Sequence, residues 1–167
     1  MGTSTDAILF YGYIWSDECN LFADGDDDEE SDEREWEEIL LERRGVSNPW
    51  TEHPGTETAG QAWMTANQKR IDEWYAAKEA IHDEYGVEIR RHGSDQWSVP
   101  YIHIDDERGH VRASRGHPEQ VTAEMLTVGE DWDARLARFV ADLGIDIAGD
   151  EDNEVKGPGW FLASWWG

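Results

Sequence analysis

The chain has almost no cysteine, little lysine and no long apolar run. Its single Cys19 permits no internal disulfide, which suits a reducing compartment. Only three of its 14 basic residues are lysines (Lys69, Lys78 and Lys156), and these 14 face 38 Asp plus Glu, for a formal net charge of −24. A protein that grips nucleic acid by its phosphates needs surplus cation, so direct nucleic-acid binding is not expected. No apolar stretch approaches the ~18 residues of a membrane-spanning helix, so no membrane partner is expected either. The opening MGTSTDAILF lacks the basic start of a secretory signal. The fingerprints of common catalytic sites are also missing: there is no GxSxG, no phosphate-binding glycine loop and no dinucleotide motif. Carboxylates are too abundant for any pair to mark a general acid and base. Cys19 lies between Glu18 and Asn20, and nearby acid opposes a reactive thiolate. These absences point to a protein that is not an enzyme, needs no cofactor and works in the cytoplasm.

What is present is aromatic and acidic. Ten tryptophans in 167 residues exclude a wholly disordered chain and are enough for one folded domain. The acid is unevenly placed. Residues 24–42, DGDDDEESDEREWEEILLE, hold twelve acids and one Arg, a net of −11. Spreading charge for solvation in a salt-rich cytoplasm, which an excess of Arg over Lys also suits, does not require such a block. A run of like charge is commonly a solvated loop or interaction tail; the sharper reading is a surface shaped to meet a basic partner.

Periodicity gives the elements. Ala7–Trp15 is β-rich, with Gly12 marking a bulge or a close backbone approach. Ser31 is a plausible N-cap for a helix carrying Trp36, Ile39 and Leu40 and ending at Gly45. Residues 46–60 read as a connector. Residues 61–85 form the strongest helix, with Ile71, Trp74, Tyr75, Lys78, Ile81, His82 and Tyr85 on one face and Gly86 as its stop. Val87–Arg91 and Trp97–Ile104 read as a hairpin, His110–Ser114 as a short strand, and 118–128 as ambiguous. Trp132, Leu136, Phe139, Val140 and Leu143 mark a last helix capped by Gly144, and Gly159–Trp166 a last strand. The expected fold is α+β, an antiparallel or mixed sheet with about three helices packed on it, in a single domain 1–167 with an acidic loop-helix segment at 16–44. The two terminal strands are the most apolar and are expected to be neighbours.

Two metal readings were weighed against this frame. Asp24, Asp26, Asp28, Glu30, Asp32 and Glu35 fall at calcium-loop positions, but Glu29 stands where the sharp turn needs Gly, and a strand precedes the loop. His103 and Asp105 share a strand face with His110 nearby, without any recognised metal-ligand spacing. Neither makes a metal site the leading expectation.

The stretches Thr5–Tyr13 and Gly157–Gly167, about 20 residues together, resemble the two ends of small phage- or prophage-encoded proteins of unknown function. In composition the chain is similar to the acidic phage inhibitors that copy DNA charge, among them anti-restriction and anti-CRISPR proteins. That likeness carries over no residue. It implies a non-catalytic inhibitor that occupies a basic nucleic-acid-binding protein of a bacterial host. The residues expected to do so are Asp26, Asp27, Asp28, Glu29, Glu30, Asp32, Glu33 and Glu37. The alternatives are a salt-adapted α+β domain and a divalent-cation-binding protein that uses the acidic loop.

Overall fold

The computed structural model describes residues 5–16, 35–94, 97–114, 116–148 and 154–166. Their elements run β1 (Thr5–Trp15), α1 (Trp36–Arg43), α2 (Glu57–Tyr85), β2 (Val87–Ser94), β3 (Trp97–Ile104), β4 (His110–Ala113), α3 (Trp132–Leu143) and β5 (Val155–Trp166). The fold is α+β, and every strand pair is antiparallel. The chain divides into two compact units, Met1–Glu29 with Tyr85–Gly167, and Glu30–Glu84.

In the first unit β1 is central. It pairs β5 along almost its whole length, from Thr5↔Trp166 to Trp15↔Val155, so the terminal strands are neighbours as their apolar character implies. On its other side β1 pairs β3 through Gly12↔His103 and Ile14↔Tyr101, then β4 through Phe10↔His110 and Ile8↔Arg112. The strand β4 thus continues the line of β3 along β1 after an excursion at 105–109, and Tyr11 N–H donates to Gly109 O at 2.9 Å within the gap. Beyond β3 lies β2, in register from Val87↔Ile104 to Ser94↔Trp97. The sheet curls until β2 also touches β5.

Alternation sorts the side chains onto two faces. One face carries Ile8, Phe10, Tyr101 and Ala163 as a buried cluster, with Ile14 and Phe161 packed against it. The rings of Phe10 and Tyr101 lie 4.4 Å apart. The other face carries Tyr11, Tyr13, Ile102, Ile104 and Val87, all buried, together with the apolar stripe of α3. All five stripe residues of α3 are buried as the periodicity requires, and Gly144 closes the helix at φ +65°. Gly144 N–H donates to Ala141 O and Ile145 N–H to Val140 O, so both orphan carbonyls are satisfied. Arg135 donates from Nε to Tyr85 O at 2.7 Å and from Nη2 to Gly86 O, placing a cation on the carbonyl end of α2.

In the second unit α1 has only eight residues, too short to persist alone. Burial of Trp36, Leu40 and Leu41 holds it. It starts after Glu35, so the cap expected at Ser31 is displaced, and Ser31 itself is outside the described residues. Gly45, at φ +78°, ends it as expected, with Gly45 N–H donating to Glu42 O and Val46 N–H to Leu41 O. The connector expected at 46–60 is shorter, because α2 already begins at Glu57, and it holds a short 3-10 helix, Pro49–Glu52, capped by Asn48, whose side chain accepts from Trp50 N–H at 2.9 Å. The buried positions of α2 are Ile71, Trp74 and Ile81, with Tyr85 at its end. Tyr75 is 53% exposed and lies off this stripe, against the sequence reading, because a step of one residue turns the helix by about 100°.

Two further expectations are corrected. Residues 118–128 settle as turns and irregular chain. The strand β5 begins at Val155, not Gly159, because pairing with β1 recruits residues that read locally as loop.

Gly12 is fixed by geometry. A Cβ there would sit 1.8 Å from Ile102 O, and a Cβ on the neighbouring Gly157 would sit 2.4 Å from Gly12 O. The pairing with β5 shifts register between Gly12 and Ile14, the bulge or close approach the sequence suggested. Gly12→Ala is expected to lower unfolding free energy by at least about 3 kcal/mol, since backbone and not a flexible side chain must yield. Urea denaturation of the variant beside the parent checks this.

Candidate functional site

Of the eight carboxylates expected to meet a partner, Asp26, Asp27, Asp28, Glu29, Glu30, Asp32 and Glu33 lie outside the described residues, as does Cys19. Glu37 is described. It is half-buried in the first turn of α1, where Glu37 and Glu38 favour the positive end of the helix dipole. Glu38 accepts from Asn48 Nδ2 at 3.4 Å. Glu35, the last position of the calcium register, is ion-paired with Lys78. The Lys78 ammonium stands 4.9 Å over the Trp74 ring, and burial lowers its pKa.

The second unit carries another acidic row that the sequence reading did not single out. Asp72, Glu79 and Asp83 are exposed on α2 at i, i+7 and i+11, with Tyr75 and Ala76 between the first two at helical spacing. Along the axis they are about 10 Å and about 6 Å apart. The signal was available in the same periodicity that gave the apolar stripe. Several cations of this unit are engaged with other carboxylates. Arg70 grips Glu52 at both oxygens, at 2.6 and 2.7 Å, and this pair holds the Glu52 carboxyl below its usual range. Arg44 donates to Glu84 at 2.7 Å, and Lys69 lies 3.5 Å from Glu73.

The other chemical feature is a layer of rings inside the curled sheet of the first unit. Alternation puts Glu88, Arg90 and His92 of β2, Tyr101 and His103 of β3, and His110 of β4 on one face. The excursion at 105–109 brings His110 onto the position next to His103. The two imidazoles stack with centroids 4.3 Å apart, and Tyr101 stacks on His103 at 5.5 Å. His103 is wholly buried. Its Nδ1 lies 2.9 Å from Ile104 O, and its Nε2 faces Glu88 Oε2 at 3.4 Å without hydrogen-bond alignment, an electrostatic contact. His92 is hydrogen-bonded to the Ser164 backbone across the seam between β2 and β5.

This environment works against proton transfer at neutral pH. Burial pushes the Tyr101 hydroxyl up to about 12. Burial, then the adjoining His103, pushes His110 down to about 4. His92 is lowered by burial as well. Tyr101 OH and His110 Nε2 are 3.5 Å apart, a neutral phenol beside a neutral imidazole. His103 and Arg90 hold Glu88 down to about 2. Asp105, expected to share a face with His103, sits beyond the end of β3 and is exposed, while His103 is buried. Among the described residues no group of three or more His, Cys, Asp or Glu is placed to hold a metal ion.

The layer makes the fold acid-sensitive. His110 is lowered on folding, so the unfolded chain binds more protons between about 6.5 and about 4, and stability falls as pH falls through that window. Glu88 adds a loss that begins below its unfolded pKa of 4.5 and completes near 2. His110→Phe is expected to lessen the upper part of this dependence, with the contribution of His92 remaining, while leaving the lower part. Urea midpoints at about pH 7, 5.5, 4.5 and 3 measure both parts. Against family models, curated proteins and solved structures, the chain finds no match.

Proposed function

We propose that the protein is a non-catalytic acidic inhibitor that occupies the basic nucleic-acid-binding surface of another protein, in the manner of a DNA mimic. The observation that carries this reading is the concentration of charge: a net of −11 in residues 24–42 within a chain of net −24. A duplex presents one charge per ~1.7 Å of axis, and a partner built for it answers to dense, ordered anion. Carboxylates at i and i+4 on a helix stand about 6 Å apart, a spacing that rows of this kind supply. The row Asp72, Glu79 and Asp83 on α2 adds exposed anion to the unit that contains Glu30, Asp32, Glu33 and Glu37. The natural partner is a bacterial host's defence nuclease or DNA-recognition complex, met in the cytoplasm by a phage-encoded protein. The field of such a surface speeds encounter at low salt and fades once screening shortens its reach to about 8 Å.

The test measures displacement of a labelled DNA duplex from host restriction and CRISPR effector complexes. The parent chain should displace it, and displacement should weaken steeply with salt. Reversing Asp26, Asp28, Glu30 and Glu33 together to Lys should weaken it about a hundredfold, at roughly 0.7 kcal/mol per contact, with the melting curve retained. Equal displacement by parent and variant at the same salt sinks the reading. A chain that melts cooperatively only in molar KCl would assign the charge to solvation instead.

A further inference from the structure

Among the described residues of the first unit, α3 packs on the end of the sheet face that carries Tyr11. Around Tyr11, the rings of Trp132 and Trp160 close at 5.4 Å each. Toward the start of β1 the register sets Val111, Leu9 and Leu162 in one row across β4, β1 and β5, and Ala113, Ala7 and Ser164 in the next. Leu162 is 76% exposed, the most exposed large apolar side chain among the described residues. The irregular segment 118–131 is fastened to the same strand where Trp160 Nε1 donates to Leu126 O at 2.9 Å. This segment also shows Val121, Leu126 and Val128 to solvent. From 118 to 134 the chain carries Glu119, Glu124, Glu130, Asp131 and Asp133, all exposed, and no Lys or Arg; Asp131 lies 4.0 Å from Arg135, Asp133 accepts from Tyr11 OH, and Arg108 stands 5.5 Å over the Trp132 ring, so the acid of the rim rests on Glu119, Glu124 and Glu130.

Apolar side chains gathered on a surface and rimmed by polar ones mark interaction sites. The rim identifies the occupant. A second copy would bring these carboxylates against their own kind, and such like-charge juxtaposition is strongly unfavourable. We propose that the row Val111–Leu9–Leu162, half-buried at Val111 and Leu9 and open at Leu162, together with the exposed Leu126 of the segment bonded to Trp160, is a docking surface for a basic protein partner that presents aliphatic or aromatic side chains within a ring of Lys and Arg. Apolar anchors inside a charged rim confer an affinity that salt does not remove, unlike contact through charge alone. The residues of this surface all belong to the first unit.

Two synthetic cationic peptides of equal charge probe it by isothermal titration of the full chain: an amphipathic Leu/Lys helix and an oligolysine. In 0.5 M KCl the amphipathic peptide should still bind, while oligolysine should not. Leu162→Ser combined with Leu126→Ser should weaken the amphipathic peptide about tenfold, the burial of part of two leucines, and leave oligolysine binding at low salt unchanged. Leu162→Ser alone, at a site open to solvent, guards against loss of the fold and should give part of the effect. Reversal of the acids at 26–33 should leave the salt-resistant part intact, which separates this surface from the acidic run. Parent-like binding by the double serine variant, or equal loss for both peptides, overturns the proposal. So does a dimer in sedimentation velocity that Leu162→Ser disperses, since a second copy would then be the occupant.

Discussion

The first unit depends on a strand that gives up a side chain where two neighbours crowd it. At Gly12 the carbonyl of Ile102 occupies the space a Cβ would need, and on the other side the Gly12 carbonyl leaves no room for a Cβ on Gly157. That approach lets β1 bond β3 and β5 at the same level, and it settles which residues of β1 face which way. Slipping by one residue would send Phe10 and Ile8 to the face of Tyr11 and Tyr13, so one permitted contact determines both layers of the unit. The ring layer of Tyr101, His103 and His110 follows from the same register. Its rings stack on one another, and Glu88, the carboxylate that faces His103, is shared with Arg90.

The second unit is held by different means. Its ion pairs are mostly solvent-exposed, and such pairs contribute little each. Burial of Trp36, Leu40, Leu41, Ile71, Trp74 and Ile81 is the larger source of stability, at about 1.5–3 kcal/mol for each aliphatic side chain. The carboxylates are therefore not what holds the unit together; at −24 their mutual repulsion opposes compaction. A fold that carries this much unneeded anion has a surface shaped by something other than stability, and that is the physical basis for reading it as a binding surface.

Local patterns were legible in the sequence, and long-range pairings were not. The stripe of α3 and the stops at Gly45, Gly86 and Gly144 follow from spacing and from backbone freedom, both properties of a few adjacent residues. The stacking of His110 on His103 depends on an excursion whose length matters only because β1 lies alongside. The early start of β5 likewise comes from its partner, since Lys156-Gly157-Pro158 alone signals a loop. Tyr75 was misassigned because neighbouring aromatics at 74 and 75 cannot share one narrow stripe. The acidic run at 24–42 could be found by counting, whereas the row Asp72, Glu79 and Asp83 lay hidden behind the apolar period of the same helix. The exposed leucine of β5 could not be found locally at all, because whether α3 extends over that end of the sheet is a matter of tertiary placement.

The pairing of the first strand with the last has a consequence during synthesis. When β1 leaves the ribosome, its partners β3 and β5 have yet to be translated, and the whole second unit lies between. An apolar strand in that position has both edges open until β3 and β5 are made, the condition under which nascent chains stick to one another. The residues translated next are the most densely charged in the chain. Charge placed beside an apolar strand opposes such association.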